Sequence, residues 1–287
     1  MIKILKIFLC VIILQTIVVF SLAADSLAAD SGEGSYSIVR DIIYHQEDTI
    51  NCRLDLYIPE AANDCMTLIW FHGGSLKEGS RTRIDASVIG DGLASEGIAA
   101  VIVDYRLYPD ALFPDFLVDA AASVNWVLEH IEDFGGDSDR VFVGGHSAGG
   151  YITAMLALDR SYLDSFNKDP GDVCGYIPVS GQMDCHTSVK EEWGLDPKEL
   201  IVNSAAPLLY VIDPVPPMLF IYAENDSPGR GEINQRITST LIKNENENIY
   251  LDEIQGSNHS TIIHSNGQMN HLLYEAIVDF MGEISCL

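Results

Sequence analysis

Ser147 lies in the run Gly145-His146-Ser147-Ala148-Gly149, directly after the apolar stretch Val141-Phe142-Val143 and ahead of a helical pattern. A serine hydroxyl is a weak nucleophile until a neighbouring base takes its proton. Between a strand and a helix, G-x-S-x-G forms an elbow that leaves the serine on a strained backbone with its hydroxyl exposed. Side chains at the flanking glycine positions would collide with the adjoining strand and helix. The pattern alone is common; the strand before it and the helix after it give it weight.

Attack on an ester puts negative charge on the former carbonyl oxygen, and donors must already point at that charge. His72-Gly73-Gly74-Ser75 follows an apolar stretch at residues 67–71. Paired glycines let backbone amides approach without a side chain in the way. The expected oxyanion donors are the amides of Ala148 and of Gly73 or Gly74. An ordinary glycine turn after a strand is the plainer reading of the same residues.

The base and its orienting acid follow from chain order, which in this arrangement runs serine, carboxylate, histidine. Ala223-Glu224-Asn225-Asp226 closes one apolar run, and Gln255-Gly256-Ser257-Asn258-His259 closes the next. His259 would accept the Ser147 proton. Asp226 would hold the imidazole in one tautomer and stabilise its charged form. Glu224 is the rival acid and His264 the rival base. No His-Glu-x-x-His or zinc-like cysteine spacing occurs, and the chemistry requires no metal or cofactor.

Those residues need a scaffold that brings strand ends to one edge. Runs at 37–45 and 51–58 read as an antiparallel hairpin. Short apolar strands are expected at 67–71, 98–103, 140–143, 176–179, 218–222 and 249–254. Amphipathic helices are expected at 84–96, 114–130, 148–158, 233–243 and 271–281. Strands alternating with helices imply an α/β fold with a mostly parallel central sheet covered on both faces. The carboxyl ends of its strands share one edge. Residues 181–217 are the least regular and would form a short lid over that edge. Residues 36–287 read as a single domain.

The N-terminus reads as an address. Lys3 and Lys6 precede an apolar run over residues 7–20, and Ser21-Leu22-Ala23 supplies a cleavage site. Residues 1–23 are thus an expected signal peptide, with Ala28 a second cleavage position and 24–35 a flexible leader. A retained anchor is the competing reading, because residues 7–24 approach the length of a short spanning helix. Export would place the protein outside the cell or in a periplasm, with no stable membrane partner after cleavage. The chain carries 42 acidic against 16 basic residues, a net charge of −26. Such a surface repels phosphate backbones and excludes nucleic acid as a natural partner. Processing leaves Cys52, Cys65, Cys174, Cys185 and Cys286, an odd and scattered set that allows one or two bridges and assigns neither.

With these elements placed, the sequence resembles the α/β-hydrolase esterases of the hormone-sensitive-lipase and acetyl-esterase type. Within them it looks most like the secreted feruloyl and acetyl-xylan esterases. The likeness rests on Trp70-Phe71-His72-Gly73-Gly74, Asp104-Tyr105-Arg106-Leu107-Tyr108-Pro109, Phe113-Pro114, Gly144 to Gly150 and Ser180-Gly181-Gln182. It implies a serine carboxylesterase acting through an acyl-enzyme on Ser147, with short-chain or carbohydrate-linked esters such as acylated polysaccharides as substrates. Asp104 and Arg106 would brace the loop rather than touch substrate. Two departures stand out. Ser75 replaces the usual third glycine, and nothing before residue 37 could supply a helical cap, so no large cap is expected. A prolyl-oligopeptidase-type peptidase and a catalytically silent binding module are the alternatives. The first usually carries a large gating domain; the second typically loses its serine or histidine.

Overall fold

Apolar residues run almost unbroken through the central strands, as they must when both faces of a sheet are covered. The computed structural model describes residues 34–286, apart from 47, 61, 212, 213 and 285. The expected signal peptide and residues 24–33 of the leader lie outside the described residues. The strands are β1 (Tyr36–Ile43), β2 (Arg53–Pro59), β3 (Cys65–Phe71), β4 (Ala99–Val103), β5 (Gly136–His146), β6 (Gly175–Val179), β7 (Met218–Asn225) and β8 (Ile249–Asn258), with a short pair β9 (His264–Ser265) and β10 (Gln268–Met269). The helices are α1 (Ile84–Ser95), α2 (Asp115–His130), α3 (Ala148–Leu158), α4 (Ser161–Asp164), α5 (Thr187–Glu192), α6 (Arg230–Lys243) and α7 (His271–Glu283).

Eight strands form one sheet in the order β1-β2-β4-β3-β5-β6-β7-β8. β2 pairs antiparallel with β1 and with β4, while β3 to β8 run parallel in their pairings. The expected N-terminal hairpin and mostly parallel sheet are therefore both present. Side-chain alternation divides the core in two. Ile69, Phe71, Val101 and Val103 face α2, α3 and α6, whereas Leu68, Trp70, Ala100 and Ile102 face α1 and α7.

Three elements are longer than their apolar runs suggest. β5 begins at Gly136 because Cys65 pairs with that residue, although the intervening Asp137 to Arg140 are polar and reach the surface. β8 continues to Asn258 beside β7 after a register shift. α6 starts at Arg230, after Gly229 in the left-handed conformation at φ 77°. Hydrogen-bond partners rather than hydropathy set these ends.

Two ion-pair clusters hold the connections at the sheet's carboxyl edge. Arg81 bonds Asp55 at 2.9 Å and also engages Asp104 and Asp41. Asp55 is 1% exposed, and it also accepts Arg40 and the amide of Asp41, whose φ of 62° marks a bulge in β1. Arg106 clamps the fully buried Asp119 through Nε and a terminal nitrogen, at 2.9 and 2.7 Å, so Asp104 and Arg106 brace this loop as expected. A Cys174–Cys286 disulfide ties the residue before β6 to the chain after α7, and Cys52, Cys65 and Cys185 are free thiols.

Removing one partner of a buried pair leaves a charge without compensation. Arg106→Met is therefore expected to destabilise the protein by about 3 kcal/mol. Arg106→Lys should recover only part, because an ammonium cannot reproduce the two-point clamp. Urea midpoints of the three proteins check this, and an unchanged midpoint in Arg106→Met would show the pair to be dispensable.

Candidate active site

β5 turns into α3 within a single residue. Ser147 occupies that residue at φ 56° and ψ −108°, a conformation that costs energy for any residue with a side chain. Its amide bonds the Val179 carbonyl at 2.8 Å, which fixes the elbow to the end of β6. A Cβ on Gly149 would stand 2.0 Å from the Phe71 carbonyl oxygen, and one on Gly145 would stand 2.6 Å from the Gly149 backbone. Only hydrogens fit there, which is the collision expected from the motif.

His259 and Asp226 meet Ser147 across the sheet edge. His259 Nε2 lies 2.9 Å from Ser147 Oγ, and His259 Nδ1 lies 2.6 Å from Asp226 Oδ1. Asp226 follows β7 and His259 follows β8, so sheet order alone sets their separation. The Nδ1 proton faces the carboxylate, leaving the Nε2 lone pair toward the serine hydroxyl. Asn258 shapes the turn by accepting the amides of Ser260 and Thr261, each at 3.0 Å. Glu224 is exposed and accepts the Gly256 amide at 2.8 Å, bracing the β8 end instead of His259. His264 lies in β9 opposite Met269.

Gly73 packs against Ser147: a Cβ there would stand 3.4 Å from the Ser147 Cβ. Gly74 adopts φ 122°, where a Cβ would overlap the Glu78 carbonyl oxygen at 1.8 Å. Among the described residues no backbone acceptor takes the amide protons of Gly73 or Gly74. The Ala148 amide opens α3, where first-turn amides lack a helical partner. Ser75 and Leu76 both take left-handed conformations, at φ 57° and 60°. Ser188 donates its hydroxyl to the Ser75 carbonyl, so α5 clamps the loop where the third glycine is missing. The amide of Tyr108 holds the Leu76 carbonyl at 2.7 Å.

Several residues at the site had no role assigned from sequence. Ser180 Oγ donates to Asp226 Oδ2 at 2.5 Å, and the amides of Ala223 and Ser227 add bonds at 3.1 and 2.7 Å. Ser180 directly follows β6 at the edge where such groups gather, and its signals in the sequence were that position and its place in the family-like run Ser180-Gly181-Gln182. His146 bonds the His259 carbonyl oxygen through Nε2 at 2.8 Å and lies against the His259 ring. A cavity of about 510 Å³ opens beside Ser147, lined by Gly74, Gln182, His186, Thr187 and Arg230 among others. The expected lid segment thus contributes walls to it. Another cavity, of about 540 Å³, lies against α1 and α7, and neither Ser147 nor His259 lines it.

A BD-FAE family model matches residues 54–230, well over half of the chain. The chain belongs to the BD-FAE family. Ser147 and Asp226 fall inside that match and His259 beyond it. A probable isoprenylcysteine alpha-carbonyl methylesterase of Arabidopsis thaliana is 31% identical over 148 residues, covering 50% of this chain and 30% of the plant protein. LipM of Mycobacterium tuberculosis, a probable carboxylic ester hydrolase, is 27% identical over 173 residues, covering 54% of this chain and 40% of its own. The chain spans about a third of the length of the curated relatives it matches. A truncated carbohydrate esterase from gut microbiota superposes with TM-score 0.72 at 16% identity, covering 89% of this chain and 98% of its own. The butyrate-bound esterase 2 of Thermogutta terrifontis gives 0.66 at 20%, covering 84% and 91%. These neighbours establish the α/β-hydrolase fold for this BD-FAE chain.

Burial and bonding set the charges. Burial pushes the Asp226 carboxyl up, but the bonds from His259, Ser180 and the Ala223 amide outweigh it and hold it at about 2. His146 is pushed down to about 3 by burial, reinforced by the neighbouring His259. His186 is pushed down to about 3 by burial and by the charges of Arg230, Lys190 and Lys77. Both histidines are neutral donors or acceptors at neutral pH.

Unfolding would release these two histidines to their ordinary value near 6.5. Between roughly pH 6.5 and 3 the unfolded chain binds protons that the folded one refuses. Stability is therefore complete above the unfolded value and is lost as pH falls, by about 1.4 kcal/mol per pH unit for each histidine. The Asp226 contribution is present above about pH 4 and is lost toward pH 2. Urea unfolding at pH 7 and pH 5 should show the decline, and His186→Gln should make it shallower. Equal declines in both proteins would contradict the buried neutral state.

Proposed function

We propose that this protein is a secreted serine carboxylesterase acting on short-chain or carbohydrate-linked esters. The observation that carries the reading is the continuous relay from Ser147 Oγ to His259 Nε2 and from His259 Nδ1 to Asp226, at 2.9 and 2.6 Å. In the reaction His259 removes the hydroxyl proton as Ser147 Oγ attacks the ester carbonyl carbon. The amides of Ala148 and of Gly73 or Gly74 take the oxyanion. The imidazolium, stabilised by Asp226, returns the proton to the departing alcohol and leaves an acyl-enzyme. Water, deprotonated by the same histidine, then releases the acid.

Acetyl or feruloyl esters of plant polysaccharides are the favoured substrates. Membership in the BD-FAE family, the resemblance of the motifs and the lack of a large cap among the described residues support bulky or polymeric esters. One fold neighbour is a carbohydrate esterase, which agrees with that choice. Export is supported by Lys3, Lys6 and the apolar run after them, and by the Cys174–Cys286 bridge, since disulfides persist in oxidising compartments.

The mature chain should hydrolyse p-nitrophenyl acetate, and Ser147→Ala should lose at least about a thousandfold in kcat. Asp226→Asn should lose a comparable factor through the wrong imidazole tautomer, while Glu224→Gln stays within a few-fold. Failure of the folded wild type on this ester and on acetylated and feruloylated xylans would sink the esterase reading. A larger loss in Glu224→Gln than in Asp226→Asn would reassign the acid. N-terminal sequencing of exported protein is expected to begin at Ala24 or Ala29, and a chain retaining Met1 in the membrane would refute export.

A further inference from the structure

Arg230 is the feature of the site that the ester mechanism leaves unused. It opens α6 and lines the cavity that contains Ser147, and also an adjoining one of about 370 Å³ that shares Gln182 and Thr187. Its backbone is pinned: the buried Asn234 amide donates to the carbonyls of Arg230 and Gly181, at 2.9 and 3.0 Å. The first turn of α6 is thereby fixed to the segment that follows Ser180. The guanidinium is not similarly satisfied. Nη1 is fully buried and has no hydrogen-bond partner among the described residues.

A buried guanidinium normally finds a carboxylate. The nearest candidates are committed elsewhere: Asp226 to His259, Ser180 and two amides, and Asp184 to Lys190 at 2.6 Å. Burial pushes the Arg230 guanidinium down, and the Asp226 and Asp184 charges only partly offset this. A chain with a net charge of −26 has 42 carboxylates from which a structural partner could have been drawn, yet none is bonded here. Lys77 on the same wall is paired with Glu191, the exposed Glu78 lies 3.8 Å from Arg83, and His186 is neutral, so Arg230 supplies the positive charge without a bonded partner beside Ser147.

We infer that Arg230 is a specificity-determining residue that receives a carboxylate carried by the ester substrate, either on the acyl group or on a uronic-acid alcohol. This rests on the esterase reading and refines its substrate class from neutral esters to anionic ones. The charge also explains how a strongly acidic protein would accept such a substrate, since a local cation in a partly dry cavity acts at short range where the overall field is screened.

The test compares two matched pairs at low salt. On the acyl side, 4-nitrophenyl hydrogen glutarate is set against 4-nitrophenyl acetate. On the alcohol side, an acetylated methyl glucuronoside is set against the same acetylated methyl glucoside. In one pair the wild type should favour the anionic member in kcat/KM. Arg230→Gln should cut that anionic-to-neutral ratio at least tenfold, mainly by raising KM, and Arg230→Lys should restore part of it. The pair that responds identifies which half of the ester carries the carboxylate. A ratio unchanged by Arg230→Gln in both pairs would overturn the inference, as would equal losses on anionic and neutral members. Calorimetric binding of glutarate and of glucuronate to Ser147→Ala, with and without Arg230→Gln, reads the same site without turnover. Binding of one acid that is lost with Arg230→Gln supports the carboxylate site, even if no ester is cleaved and the esterase reading fails. Absence of binding by both acids, or binding indifferent to Arg230→Gln, refutes it.

Discussion

The close approach of the Ser147 elbow to the end of β3 is the constraint on which the rest of the site depends. The Gly149 backbone passes so near the Phe71 carbonyl that a methyl group could not fit between them. That contact positions α3 over the sheet, aims the Ser147 hydroxyl out of the edge and sets Gly73 immediately beside it. A strained residue persists only where its surroundings over-determine it. Here the Ser147 amide is held by β6, and both β6 and the last six residues of β5 are buried.

Electrostatics around the elbow follow a different logic from the surface. The surface is heavily acidic, but at the site one carboxylate, Asp226, accepts four donors from neighbouring groups. The surrounding histidines at 146 and 186 are kept neutral by burial, so they can bond without adding charge beside His259 and Asp226. The ion clusters of Arg81 and Arg106 perform a mechanical task one step further out, fastening the connections that carry His72 and the glycines. Tyr105, between Asp104 and Arg106, completes the link by donating its hydroxyl to the His72 carbonyl and stacking on the His72 ring.

Residues 181–217 illustrate how an irregular stretch takes part in a site. Their hydropathy has no clear period, yet the structure builds α5 there, with the His186 side chain accepting the Ser188 amide at its start. From α5, Ser188 reaches the strained loop at Ser75, and Lys190 buries itself on Asp184. Short polar elements of this kind are stabilised by partners distant in sequence, which is why periodicity says little about them.

What the sequence determined by itself was the order of events along the chain: a hairpin, then strands alternating with helices, with glycine, serine, aspartate and histidine each just beyond an apolar strand. These are local signals, since apolar period, glycine-flanked serine and strand-end position are written in a few consecutive residues. Which of Asp226 and Glu224, two residues apart, reaches His259 was set only when β7 and β8 were placed side by side, because that register turns one carboxylate to His259 and the other to the Gly256 amide. The roles of Ser180, His146 and Ser188, the extra length of β5 and β8 and the unpaired Arg230 nitrogen likewise belong to the tertiary structure. Each depends on which group is missing or present across a gap between strands, and no short stretch of sequence carries that information.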